Sequence, residues 1–166
     1  MEALARMKRT APDGEERSNR VAIKMGLFCT WALDYGKLAA FLKQEKVEET
    51  ILKYDIPPPP SEKFQVLTSD GWIDFPLSDL RPLVQKGCSL CQDMTAEWAD
   101  ISVGTVEGME GWNTVIVRTH AGAELVSEAV KQGRLETDDL PGENLAHLKE
   151  AAGNKRERGK RAKTEG

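Results

Sequence analysis

Apolar positions along this chain recur with two alternating periods, and the switches between them mark its elements. VAIKMGLF over 21–28 is largely apolar, rich in β-branched residues and bounded by polar clusters, which predicts a buried strand ending at Cys29. From Asp34 to Lys46 the period lengthens. Leu38, Ala39, Phe41 and Leu42 share one helical face behind Asp34 as N-cap. Val47, Ile51 and Leu52 fit a second short helix over 47–52, and four prolines at 57–60 then impose a stiff connector. Phe64 and Val66 on one side of Ser69-Asp70-Gly71, with Trp72 and Phe75 on the other, predict a hairpin over 63–77. Ser78 and Asp79 are placed to cap a short helix, DLRPLV.

The second half alternates in the same way. ADISVGTV (99–106) and WNTVIVRT (112–119) read as strands joined by the glycine-rich GTVEGMEG. AGAELVSEAVKQG (121–133) is amphipathic, with Leu125, Val126, Ala129 and Val130 inward and Gly133 as the stop. RLETDDL (134–140) reads as a short strand. The last helix starts near Gly142 and loses its apolar face after Ala152. These elements predict an α+β (mixed α/β) fold: a small central sheet with flanking helices, one hairpin and a C-terminal helix. Residues 2–9 carry a short helical pattern that a turn-forming stretch breaks, leaving a linker to residue 20, and 153–166 read as a basic, disordered tail.

Composition narrows the class. With 166 residues, 40% apolar and 30% charged, the chain is expected to form one ordinary globular domain. No apolar run approaches the roughly 20 residues of a bilayer crossing. The N-terminus lacks the apolar core of a secretory signal, so a cytoplasmic location is expected. The net charge of −4 is uneven: residues 149–166 carry seven Lys and Arg against three Glu, a net of +4 that leaves −8 on the rest. No base-stacking aromatic motif accompanies the basic end, so no nucleic-acid partner is expected.

Three cysteines change the picture most. Cys88 and Cys91 form a Cys-x-x-Cys pair, and Cys29 closes the first strand. An odd number argues against a disulfide framework. The pair suits zinc, an iron–sulfur cluster or thiol–disulfide exchange, and plain burial is the alternative. Three thiolates leave a tetrahedral or all-cysteine site one ligand short, and Asp93, Asp100, His120 and His147 are candidates for the fourth. Gly104, Gly108 and Gly111 suit either a tight hairpin or a backbone that a flat cofactor approaches closely. Trp112 and Arg118 lie an even number of positions apart and so share a strand face, where they could clamp a flavin or simply pack. No nucleophile–base pair, phosphate loop or paired-carboxylate signature is present, so no catalytic residue is assigned.

GLFCTWAL, GCSLCQDMTAEWADISVG and GWNTVIVRTHAG, in that order, resemble the C-terminal domain of the coenzyme F420 hydrogenase/dehydrogenase beta-subunit family, over residues from Val21 to the C-terminal helix (domain limits 21–152). The resemblance implies an iron–sulfur flavoprotein with a 4Fe-4S cluster and FAD. It would pass electrons between a hydrogenase- or formate dehydrogenase-type donor subunit, or ferredoxin, and coenzyme F420. It implies Cys29, Cys88 and Cys91 as cluster ligands, and a flavin against Gly104, Gly108, Gly111, Trp112 and Arg118. In that family a fourth cysteine lies in a Pro-Cys-Gln segment before the helix that MEALARMK resembles, so the chain is expected to begin just after it. The rival reading is an interaction module that is free of cofactor or binds zinc through its cysteines.

Overall fold

The computed structural model describes residues 20–57, 61–106, 108–109 and 111–164. The expected helix over 2–9 and most of the proline connector lie outside these. In chain order the elements are β1 (Met25–Leu27), α1 (Tyr35–Gln44), β2 (Ile51–Asp55), β3 (Lys63–Thr68), β4 (Gly71–Pro76), α2 (Leu77–Leu80), β5 (Ile101–Thr105), β6 (Asn113–Val117), α3 (His120–Lys131) and α4 (Gly142–Thr164). The chain adopts the expected α+β class, with its strands divided between two three-stranded sheets. Two compact units contain them: one from the segments up to Thr30 and from Cys91 onward, the other from Trp31 to Leu90.

In the Trp31–Leu90 unit, β3 is the middle strand of an antiparallel sheet β2–β3–β4. Its period-two alternation turns Phe64, Val66 and Thr68 inward, against Leu38 and Leu42 of α1 and Leu80 of α2. Asp34 caps α1 as expected, its carboxylate accepting the Lys37 N–H. The hairpin forms in the expected place, with Thr68 facing Gly71 across a Ser69-Asp70 turn. Gly71 sits at φ +132°, which a side chain would resist. Two expectations change. Residues 51–55 form a strand rather than the end of a second helix, because Lys46 enters the left-handed region, ends α1, and Tyr54 then stacks on Phe64 from the neighbouring strand. The short helix α2 has no side-chain cap: Ser78 hydrogen-bonds Asp79 instead, and a single 3-10 turn over Arg81–Leu83 follows.

In the other unit, β5 is the middle strand, with β1 parallel on one side and β6 antiparallel on the other. The first strand is three residues long, not eight, because only Met25–Leu27 find a partner on β5. Gly26 must be glycine for that pairing, since a Cβ would lie 2.2 Å from the Ala96 Cβ. Helix α3 begins one residue early, at His120, with Thr119 accepting the Gly122 N–H as its cap. Leu125 and Val130, expected inward, are 45% and 38% exposed. The helix meets the sheet chiefly through Gly122, where a Cβ would come within 2.7 Å of the Asp100 carbonyl. Residues 134–140 follow the left-handed Gly133 as extended chain without a sheet partner among the described residues, so the expected strand does not form.

The largest correction concerns the C-terminus. The segment expected to be a disordered tail from 153 continues α4 through Thr164 without a break. Its second half is anchored by two residues that no hydrophobic scale favours, Lys155 and Gly159, both buried.

Candidate cofactor-binding site

Cys29 and Cys88 stand at or near the ends of short elements, and backbone hydrogen bonds fix both. Cys29 follows β1; its N–H donates to the Met94 carbonyl at 2.8 Å, which ties the strand end to the segment after Cys91. Its carbonyl accepts from the Lys155 ammonium of α4 at 2.5 Å. The Cys91 carbonyl lies so close to α4 that a Cβ on Gly159 would meet it at 2.7 Å. Arg156 of the same helix pairs with Glu97. One helix face thus holds the backbone on either side of the Cys29–Met94 contact.

Cys88, in the Trp31–Leu90 unit, lies within a 3-10 turn over Lys86–Ser89. The Ala32 N–H donates to its sulfur at 3.2 Å. Such a peptide N–H is a donor that a metal-bound thiolate commonly accepts. None of the three cysteines is in a disulfide. The donors fit an iron–sulfur centre in kind, three soft sulfurs of which two are spaced Cys-x-x-Cys, but not in number. Among the described residues no three His, Cys, Asp or Glu side chains are gathered to hold a metal ion.

The four candidates for a further ligand stand in different surroundings. Both Asp93 oxygens cap the Glu97 N–H. His120 lies on the surface beside Glu124. Asp100 is buried and accepts from the Lys24 N–H at 2.7 Å, the Lys24 ammonium at 3.2 Å and the Thr119 hydroxyl at 3.0 Å. His147 lines a cavity of about 180 Å³ that Cys29 also lines. Phe28, Met94 and Thr105 form other parts of its wall, and α4 contributes Asn144 and Ala151.

Burial pushes the Asp100 carboxyl up, but the hydrogen bonds from Lys24 and Thr119 and the Lys24 charge outweigh it, so its pKa lies below the usual aspartate value. A carboxyl whose pKa is depressed on folding stabilises the fold above its unfolded pKa, and loses that contribution as pH falls through the folded one. Asp100→Asn is therefore expected to cost about 1.5–3 kcal/mol at pH 7, the range for hydrogen bonds to a charged group. The cost should shrink as pH drops below about 4. Thermal melts of the two proteins at a series of pH values measure this; a pH-independent difference would contradict it.

The residues expected to touch a flavin divide. Gly108 and Gly111 take left-handed conformations in the β5–β6 connection, with open space where a Cβ would stand. Trp112 borders a second cavity of about 290 Å³ with Val106, Met109, Val115 and Val117. Gly104 is filled from within, since a Cβ there would overlap the Phe28 ring at 1.9 Å. Arg118 does not line that cavity and is engaged by the Ser102 hydroxyl and by Thr95, to which its guanidinium donates at 3.0 and 3.1 Å.

The family model for the C terminus of the coenzyme F420 hydrogenase/dehydrogenase beta subunit matches residues 1–143. The chain belongs to this family. The coenzyme F420 hydrogenase subunit beta of Methanothermobacter thermautotrophicus is 34% identical over 125 residues, 74% of this chain and 43% of that protein. The coenzyme F420-dependent sulfite reductase of Methanocaldococcus jannaschii is 29% identical over 131 residues, 78% of this chain and 20% of that one. Among solved structures, a chain of the F420-reducing [NiFe] hydrogenase complex from Methanosarcina barkeri superposes with a TM-score of 0.87 at 28% identity, covering 99% of this chain and 57% of that one. This member of the beta-subunit family thus spans less than half the length of the first relatives it matches, 42% to 49%. Among its described residues no helix is long and apolar enough to cross a membrane.

Within this member of the F420 beta-subunit family, the fold ties Cys29 to the segment that follows Cys91, and sets His147 in the wall of the Cys29 cavity. Sequence reasoning missed Lys155 and Gly159. Their only signal was a lysine and a glycine four apart on a helix, which a solvated tail would equally contain.

Proposed function

We propose that this chain is an electron-transfer iron–sulfur flavoprotein subunit, or part of one, of a coenzyme F420- or ferredoxin-linked hydrogenase or dehydrogenase. Cys29, Cys88 and Cys91 supply three thiolates to a 4Fe-4S cluster, and a ligand from outside this set completes it. FAD lies against Gly108, Gly111 and Trp112, with open space beside the two glycines. Gly104 and Arg118 hold the strand pair beneath it. A cluster next to a flavin couples one-electron transfers to two-electron hydride chemistry on a deazaflavin. The partner is an electron-donor subunit of the hydrogenase or formate dehydrogenase type, or ferredoxin. In support, the outer strands of this sheet carry exposed apolar side chains, Met25 and Leu27 on β1 and Val115 and Val117 on β6, which a partner could cover.

The observation that carries this reading is the family match over residues 1–143. Anaerobic purification followed by iron, sulfide, zinc and flavin analysis tests it. About four iron and four sulfide per chain are expected, with bound flavin, and Cys88→Ser should lose most of the iron. Protein with stoichiometric zinc and no iron would instead identify a zinc-bound interaction module. Protein with no metal at all would sink cluster binding by this chain.

A further inference from the structure

Each of the two sheets has two edge strands, and a free edge invites a further strand unless something blunts it. Three of them are blunted. β1 is three residues long, β2 carries Lys53 and Asp55, and β4 carries Asp74 and ends in Pro76. β6 has no such device: Asn113–Val117 is uncharged, lacks proline and holds four β-branched residues in a row. Its pairing with β5 also fixes which backbone groups stay outside. The Arg118 N–H donates to the Asp100 carbonyl at 2.9 Å. By antiparallel alternation Ile116 and Thr114 turn to β5 in the same way, and Val115 and Val117 direct their N–H and C=O groups away from it. Beside that edge lies the cavity of about 290 Å³. Val115, Val117 and Val126 make part of its wall apolar, and Glu136, Asp138 and Asp139, all exposed, make another part acidic. Among the described residues no lysine, arginine or histidine lines it. Apolar surface beside negative charge suits a long alkyl stem that ends in a cation. In a strand laid along β6 such side chains would recur at every second position.

We propose that β6 is a docking edge for an extended, basic segment of a partner protein. The segment pairs its backbone with Val115 and Val117 and sets lysine or arginine side chains, at alternate positions, between the valines and the three carboxylates. A second copy of this chain is the poorer occupant, since its own β6 brings no cation to Glu136, Asp138 and Asp139. This rests on the reading of the chain as a subunit that a partner covers, but not on the cluster or the flavin. Iron and flavin content are measured apart from docking, so either reading can fail alone.

The test is fluorescence anisotropy of the full chain with a labelled peptide of alternating lysine and threonine, about seven residues long so as to span β6. Saturable binding that weakens as salt rises is expected. A peptide of the same composition with the alternation scrambled, and one with glutamate in place of lysine, should each bind at least about tenfold more weakly. Combining Glu136→Gln, Asp138→Asn and Asp139→Asn changes only exposed side chains, and should weaken binding of the lysine peptide about tenfold, the sum of three exposed charge pairs. Methylating alternate amides of the peptide separates strand pairing from charge. With methyls at the odd or at the even positions, one peptide turns them toward β6 and should lose binding, while the other keeps it. No saturable binding below about 1 mM overturns the proposal. Equal binding of the scrambled peptide, an equal response to the two methylated peptides, or unchanged affinity in the triple variant overturns it too. Competition by FAD for the same cavity would assign that cavity to the flavin, and dissociation of a dimer by the peptide would make a second copy the occupant. Either result also overturns it.

Discussion

Phe64→Ala is expected to destabilise the Trp31–Leu90 unit by about 3–5 kcal/mol, the range for deleting a fully buried aromatic ring. Phe64 is 1% exposed on the middle strand, between Tyr54 stacked at 5.9 Å and Phe75 at 6.2 Å, over Leu38, Leu42 and Leu80. Aromatic rings and leucines surround it, so the transfer loss and the cavity loss add. Small domains hold only about 5–15 kcal/mol in total. One substitution thus threatens the whole unit, and with it the turn that presents Cys88. Denaturant unfolding followed by circular dichroism measures the loss. Phe64→Leu, which keeps most of the volume, should cost about 1.5 kcal/mol or less. A loss below about 1 kcal/mol for the alanine variant would show that the core around β3 collapses onto the space or is not close-packed.

Gly104→Ala is expected to cost about 2–3 kcal/mol in the metal-free protein, at the upper end of ordinary overpacking. The added methyl would stand 1.9 Å from one carbon of the Phe28 ring and 2.3 Å from the ring carbon nearest the backbone, so the whole ring must move. Phe28 is the residue before Cys29, and its N–H is bonded to the Val103 carbonyl, which leaves it little freedom to retreat. Removing the ring should relieve the strain, so Phe28→Ala and Gly104→Ala together should cost less than the sum of the two alone. Melting of the two single variants and the double variant supplies the cycle. A glycine kept only for a flavin would behave differently: alanine would leave the empty protein as stable as before and lower flavin affinity alone. Strict additivity between Phe28 and Gly104 would therefore contradict the packing account.

Legibility followed the kind of interaction that fixes each element. Asp34 at the start of α1 and Asp70-Gly71 in the hairpin were readable because a cap and a two-residue turn are satisfied by neighbours in sequence. Residues 51–55 and 134–140 were misread in opposite directions for one reason. Strand formation needs a partner, β3 supplies one to the first, and none among the described residues meets the second. His147 was visible as a candidate but not as a neighbour of Cys29, since it is brought there from more than a hundred residues away.

The sequence by itself determined the α+β class, the capped helix and the hairpin. It also supplied the three thiols, and the ordered motifs that place the chain in its family, because these depend on local backbone preference, apolar period and residue identity. Only the tertiary structure decided that the strands split into two sheets, that Gly104 belongs to Phe28, and that the basic end of the chain is a helix gripping the backbone at Cys29 and Cys91. That helix is held by a buried lysine and a glycine. An ammonium becomes an inward residue only when an acceptor from a distant segment meets it, and a glycine becomes a contact only when another backbone comes close enough to exclude a Cβ. Neither condition leaves a mark on hydrophobic periodicity.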